Sequence, residues 1–357
     1  MVRRMSICLL LAVAVLTACS ASGGKPQYEV IYTMDAPPPT AGTGSAEETP
    51  QPPDGEKKSY TIGMVPKAME NPYFNVANDG AQEAAADLGV KVLFRGPQTA
   101  DSDQQAKAIE SLLASGVDLL AVSANDPERL APVLRQAKEK GVKVITWDSD
   151  TFPESRAFFV NMVDPETLGR HLMDTMAAHI PDHGEFAVLT GSLSAASLNE
   201  FIQWIRTQQE QFYPNMKLVE VAPTDDLPQK AYEAASRLLK DHPRLAGIIG
   251  NSAIATPAAA QAIKEAGQAG VVKVVGLSTP VLIGSYLKDG SAQMATLWSP
   301  KRLGYLTVAL AKQYLDGELP YNGEAVNNVG HIRVNGDKVI MGEPLDFTKQ
   351  NAGQYDF

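Results

Sequence analysis

The sequence predicts an α/β protein built as two doubly wound parallel-sheet lobes. Three observations point to this. From Tyr60 onward, short apolar runs alternate with longer segments of helical period. The short runs are continuously apolar, as expected for strands covered by helices on both faces. Three of the predicted helices end alike, at Leu88-Gly89-Val90, Ser115-Gly116-Val117 and Lys140-Gly141-Val142. Glycine takes the left-handed position past a helix at little cost, and the chain then enters the next strand at once.

In chain order, Tyr60–Val65 reads as a buried strand. Asn71–Leu88 is a helix with Phe74, Ala77, Ala81, Ala84 and Leu88 on one face. Strand Lys91–Phe94, helix Asp103–Ser115, strand Leu119–Ser123, helix Leu130–Lys140 and strand Lys143–Trp147 follow. Asp164 is placed to cap the next helix and Pro165 to open its first turn, with the helix running on from Glu166 to His179. Further strands fall at Phe186–Leu189, Leu218–Val221, Gly247–Ile249 and Val272–Val275, separated by helices Asn199–Phe212, Leu227–His242 and Pro257–Ala266. A last unit pairs strand Ala292–Leu297 with helix Pro300–Asp316. So many units exceed one comfortable sheet and divide into lobes of about 150 residues, an ordinary domain size.

Composition narrows the function. The 357 residues are 44% hydrophobic and 20% charged, long enough for two cores. Formal charge is −10, and loss of Arg3 and Arg4 with a leader takes the side chains to −12. An acidic surface disfavours nucleic acid and anionic lipid as partners. The two cysteines, Cys8 and Cys19, both precede the domain, so it is expected to lack a disulfide, thiolate chemistry and a Cys-ligated metal.

The N-terminus has Arg3 and Arg4 followed by Ile7–Leu16, too short for a bilayer span of about 20 residues. Leu16-Thr17-Ala18-Cys19 resembles the lipobox of bacterial lipoproteins. That resemblance implies a signal peptide over 1–18 and acylation of Cys19; an ordinary signal peptide with a chance cysteine is the alternative. Residues 19–58 are rich in Ala, Gly, Ser, Thr, Glu and Pro, and are expected to form a disordered tether. The implied address is extracytoplasmic, anchored by lipid to the cell membrane. It excludes ATP and cytosolic cofactors, and no cofactor is expected.

In open α/β sheets ligands bind beyond the carboxyl ends of the strands. Those places hold Lys67 and Asn71-Pro72-Tyr73-Phe74, then Ser123-Ala124-Asn125-Asp126, then Trp147-Asp148-Ser149-Asp150. In the second half they hold Thr190-Gly191-Ser192, Asn251-Ser252, Ser278-Thr279 and Trp298-Ser299. Aromatic rings, amides, carboxylates, hydroxyls and one lysine at one rim suit a polyol: rings stack on its C–H face and the polar groups meet its hydroxyls.

Asn71-Pro72-Tyr73-Phe74, the Gly80-Ala81 helix behind it and the two-lobed order resemble the type I periplasmic sugar-binding proteins, which serve ABC importers. Val65-Pro66-Lys67, Ser123–Pro127, Trp147–Asp150 and Gly276–Pro280 narrow the resemblance to the branch holding the rhamnose-binding and autoinducer-2-binding proteins. It extends over about residues 59–357. It implies a three-strand hinge between an N-terminal lobe of 59–161 plus 298–324 and a C-terminal lobe of 162–297 plus 325–357. It further implies a monomer that hands a small sugar to ABC permease subunits. Lys67 and Asp148 match two autoinducer-2 ligand positions. The Asp-Gln pair of that receptor falls near Ser197-Leu198, and its Pro and Ala contacts near Asn251 and Ala253, where only the alanine is kept. Asn71, Tyr73, Asn125-Asp126-Pro127 and Asn199 agree better with the rhamnose-type pattern.

The expected ligand residues are therefore Lys67, Asn71, Tyr73, Phe74, Asp126, Asp148, Asp150, Asn199, Asn251 and Trp298. Each has an ordinary structural role open to it. Asn71 can cap the first helix, Asp148 can form a turn, and Phe74 can belong to the core. His179 and His183 have a metal-pair spacing, but Pro181 breaks the helix that would align them, and no metal is expected. Two other functions share these features. A sugar-active hydrolase would need two carboxylates about 5 Å or 6.5–9.5 Å apart, with Asp148 and either Asp150 or Asp126 as candidates. A sensory module would share the fold but pass its closed form to a receptor.

Overall fold

The computed structural model describes residues 59–357. The expected signal peptide, tether and Cys19 lie outside the described residues. The first lobe runs β1 (Thr61–Val65), α1 (Pro72–Leu88), β2 (Lys91–Phe94), α2 (Ser102–Ala114), β3 (Leu119–Val122), α3 (Pro127–Glu139), β4 (Lys143–Trp147) and β5 (Phe159–Val163). The second runs α4 (Pro165–His179), β6 (Glu185–Thr190), α5 (Ala196–Phe212), β7 (Lys217–Pro223), α6 (Pro228–Asp241), β8 (Leu245–Asn251), α7 (Ala255–Glu265), β9 (Lys273–Leu277), α8 (Pro280–Asp289) and β10 (Met294–Leu297). The chain then returns through α9 (Pro300–Leu315), a short hairpin β11 (Ala325–Val326) and β12 (Gly330–His331), β13 (Arg333–Asn335), β14 (Lys338–Gly342) and β15 (Leu345–Phe347).

One sheet has the order β13-β14-β5-β4-β3-β1-β2 and the other β15-β10-β9-β8-β6-β7. The βα strands pair in parallel within each sheet, while β13 and β15 add antiparallel edges. Both sheets are doubly wound, with the strand order reversing between β1 and β3 in one and between β6 and β8 in the other. Such switch points open a crevice at the carboxyl ends of the strands. The chain crosses between lobes three times: after β5, after β10 and after β14.

The sequence places all of 325–357 in the second lobe, and the sheets correct this. β14 pairs in parallel with β5, leaving only β15 to join the second sheet. The reason is the free edge of β5, whose residues are all buried; Val339, Ile340 and Met341 of β14 cover it.

Local chemistry explains most boundaries. Asn71, Asp101, Asp126, Asp164, Thr279 and Ser299 each accept a hydrogen bond from the first turn of the helix they precede. Gly89, Gly116 and Gly141 take φ of 66°, 74° and 77°, as their helix-ending positions require. Helices α1 and α9 meet backbone to backbone. A Cβ on Gly304 would lie 1.8 Å from the Ala77 carbonyl oxygen, and one on Gly80 would lie 1.9 Å from that of Lys301. Only glycine permits this approach.

Candidate functional site

The site starts from three loops of the first sheet. Lys67 follows β1, and its carbonyl accepts a hydrogen bond from the Asn125 side chain at 2.9 Å. The fully buried Gln105 braces the same loops. Its amide donates to the carbonyls of Pro66 at 2.9 Å and Ser123 at 2.8 Å, and its oxygen accepts from the Asn125 N–H at 2.9 Å. This brace between the β1 and β3 loops escapes sequence reasoning, because a glutamine inside a helix carries no local signal.

Asp148 follows β4 in a tight turn with φ of 59°, a left-handed conformation that Asp tolerates better than most residues. Its Oδ2 accepts from the Ser123 hydroxyl at 2.6 Å and lies 3.3 Å from the Lys67 ammonium. Both side chains are buried, at 9% and 5% exposure. Burial pulls the Lys67 amine down, but the charges of Asp148 and Asp226 outweigh it and the amine titrates above its ordinary value. The lysine therefore stays charged in the dry cleft, 5.9 Å from the Phe74 ring centroid.

Tyr73 and Trp298 close the hinge side. The Trp298 indole N–H donates to the Tyr73 hydroxyl at 2.8 Å. Burial first, and then the adjacent Asp148 charge, hold the Tyr73 phenol well above its ordinary range, so it remains a donor. Asn71 caps α1 through the Tyr73 N–H at 3.1 Å and also lines the cavity. Phe74 packs edge-on against the core residue Trp147, with centroids 5.8 Å apart, while also facing the cavity.

From the second lobe, Ser197, Leu198 and Phe201 at the start of α5, Asp226 after β7, and Ser252 and Ala253 after β8 complete the walls. Met162, Leu277 and Leu297 add an aliphatic side. The lobes touch around it. Ser194 donates to the Asn125 carbonyl at 2.9 Å, and Ser197 to that of Asp148 at 2.8 Å. The cavity is about 40 Å³, room for a few waters and too small for a sugar unless the lobes part.

The structure thus brings Lys67, Asn71, Tyr73, Phe74, Asp148 and Trp298 to one cavity. It places four other expected residues elsewhere. Asp126 caps α3 through the N–H groups of Glu128 and Arg129. Asp150 is held by the buried Arg156 guanidinium at 2.6 Å, which also engages Asp337. Asn199 donates to the Leu193 carbonyl at 2.7 Å on an exposed turn. Asn251 is fully buried and does not line the cavity, donating to the Thr190 hydroxyl at 3.2 Å and to the Leu198 carbonyl at 3.0 Å. The pairs Asp148–Asp150 and Asp148–Asp126 therefore do not face one another across the cleft as a hydrolase would need. Among the charged residues that line the cavity, Asp226 is the one missed. The sequence reading ends its strand at Val221, whereas β7 continues to Pro223 and puts Asp226 on the rim.

Two doubly wound lobes hinged by three crossovers, with a cleft at both switch points, define a two-lobed binding protein. Residues 62–319 match the periplasmic binding protein domain, and the chain belongs to that family. It is 26% identical over 320 residues to the D-ribose/D-allose-binding protein of Pseudomonas aeruginosa, covering 87% of this chain and 92% of that protein. An ABC transporter solute-binding protein from Clostridium phytofermentans, solved with bound L-rhamnose, matches with a TM-score of 0.79 at 26% identity. That match covers 83% of this chain and 98% of the other. A Clostridium saccharobutylicum protein in complex with AI-2 matches with a TM-score of 0.78 over 83% of this chain and all of the other; its 24% identity shows the fold alone. Among the described residues no helix is long and apolar enough to cross a membrane.

Proposed function

We propose that this chain is the substrate-binding lipoprotein of an ABC importer, anchored through Cys19 outside the cytoplasm. It captures a small neutral sugar between its lobes and delivers it to the permease, with no catalysis. The observation that carries this reading is the mixed lining of the cavity. Lys67, Asn71, Tyr73, Asp148, Ser197, Asp226 and Ser252 supply polar groups, while Met162, Phe201, Leu277, Leu297 and Trp298 supply apolar surface. A deoxy-sugar matches both: hydroxyls for the polar groups and a methyl group for the apolar surface. A fully hydroxylated hexose would leave hydroxyls against hydrocarbon, which is costly when they lack partners. A rhamnose-like ligand is therefore favoured. The ribose/allose-binding and rhamnose-bound relatives support a sugar.

Binding works by population shift. Ligand contacts from both lobes exist only when the cleft is closed, so the ligand favours the closed state by its differential affinity. The permease then reads the closed form.

Autoinducer-2 is a second reading, favoured by the Lys67–Asp148 pair that its receptors share. Thermal unfolding of the purified chain with L-rhamnose, other deoxy-sugars, D-ribose, D-allose, D-arabinose and autoinducer-2 tests both. A micromolar ligand at millimolar concentration adds about 4 kcal/mol of stability. A shift with one sugar alone supports the capture reading, and a shift with autoinducer-2 alone replaces the ligand. No shift across the panel refutes both. Separately, Cys19→Ser is expected to release the protein from the membrane fraction, and retention would refute the anchor.

A further inference from the structure

We propose that Asp226 is a specificity-determining ligand residue, accepting a hydrogen bond from a hydroxyl of a neutral ligand and repelling anionic ones. The inference rests on the sugar-binding reading and adds to it the second lobe's anchor and the ligand's charge.

Four observations carry it. Asp226 lines the same cavity as Lys67 and Asp148, entering from the opposite lobe. Its Oδ1 is buried with no hydrogen-bond partner. A buried acceptor in that state is costly and rare, and a ligand hydroxyl is a donor that would satisfy it. The backbone is bent to put it there: Asp225 and Asp226 both take left-handed φ, of 51° and 55°. The N–H of Thr224 holds the turn against the Thr190 carbonyl at 2.8 Å. Two successive non-glycine residues in that region are strained, and such strain concentrates at ligand clamps. Finally, the carboxylate lies over Gly191, where a Cβ would come within 2.7 and 2.8 Å of its two oxygens. Glycine there leaves the space that Asp226 occupies.

The charge balance supplies the selectivity. Among the described residues lining the cavity, Lys67 is the one cation, facing two carboxylates. Lys67 is already committed to Asp148. A sugar acid or sugar phosphate would bring a further negative charge toward Asp226 with no free cation to meet it, in a setting where burial strengthens the repulsion. The ligand class is therefore a neutral polyol offering donors at two edges, one to each lobe.

Isothermal titration of the full chain with L-rhamnose, D-ribose, D-allose and D-galacturonate tests this, alongside Asp226→Asn and Asp226→Gly. Both replacements accept the left-handed backbone, so melting temperatures are expected to hold. The expected result is a neutral sugar bound by the parent protein and bound 10- to 100-fold more weakly by both variants, about the effect of losing a hydrogen bond to a charged group. D-galacturonate is expected to bind only when the charge is removed. Parent-like affinity of both variants for that sugar overturns the role of Asp226 and leaves the sugar reading intact. Equal binding of D-galacturonate by the parent overturns the charge selection. If the parent binds none of the three neutral sugars, the sugar reading fails and this inference falls with it.

Discussion

The Ser197 hydroxyl of the second lobe donates to the backbone carbonyl of Asp148 in the first, at 2.8 Å. The carboxylate of that same aspartate faces Lys67, so one residue serves the ligand face and the contact between lobes. In the open state water would satisfy both groups; in the closed state each relies on the other.

Ser197→Ala is accordingly expected to move the unliganded protein toward the open form. Loss of one neutral hydrogen bond corresponds to about 0.5–1.5 kcal/mol, and ligand affinity should fall up to about tenfold. Small-angle scattering should show a larger radius of gyration than for the parent. An unchanged radius together with unchanged affinity would show that this bond does not contribute to closure.

Gly304→Ala is expected to destabilise the first lobe, although alanine is the better helix former by about 1 kcal/mol. The added Cβ meets the Ala77 carbonyl oxygen at 1.8 Å, and backbone cannot yield as a side chain tip does. Overpacking of about 1–3 kcal/mol or more should outweigh the gain in propensity. Urea unfolding checks the sign, and a raised midpoint would mean that α9 can slide away from α1.

The acid limb of stability should depend on Asp289. Burial pushes its carboxyl up, but the Lys264 ammonium and the Ser291 hydroxyl and N–H outweigh this and bring it from 3.8 to about 2. A pKa below the unfolded value means that its contribution is present above about pH 4 and lost as pH falls toward 2. Asp289→Asn should therefore melt lower than the parent near neutral pH, and its melting temperature should decline less between pH 4 and 2. Parallel curves for the two proteins would refute the assignment.

The βα framework was legible because β1 to β4 are mostly apolar runs and several helices carry their caps in sequence. β5 was not, since Asn161 interrupts its run and an irregular stretch precedes it. α8 was hidden because Thr279-Pro280 reads as a loop motif, whereas Thr279 is the helix cap. The candidate site was legible as positions after strands, which located Lys67 and Asp148. Which way each side chain turns was not legible. Asp126 faces the N–H groups of its own helix, and Asp150 faces Arg156. Arg156 in turn also reaches Asp337, and no local pattern announces a pairing so distant in sequence.

The placement of β14 has a consequence for how the molecule is made. The first sheet gains its partner for β5 only from residues 338–342, which are synthesised long after β5 itself at Phe159–Val163. Neither lobe is a contiguous stretch, so a growing chain cannot finish one lobe and then start the other, as proteins with sequential domains do. An incomplete chain leaves the β5 edge bare and lacks β15 on the second sheet. Stable folding must therefore wait for β14 and β15, which keeps the polypeptide pliable until both strands have been made.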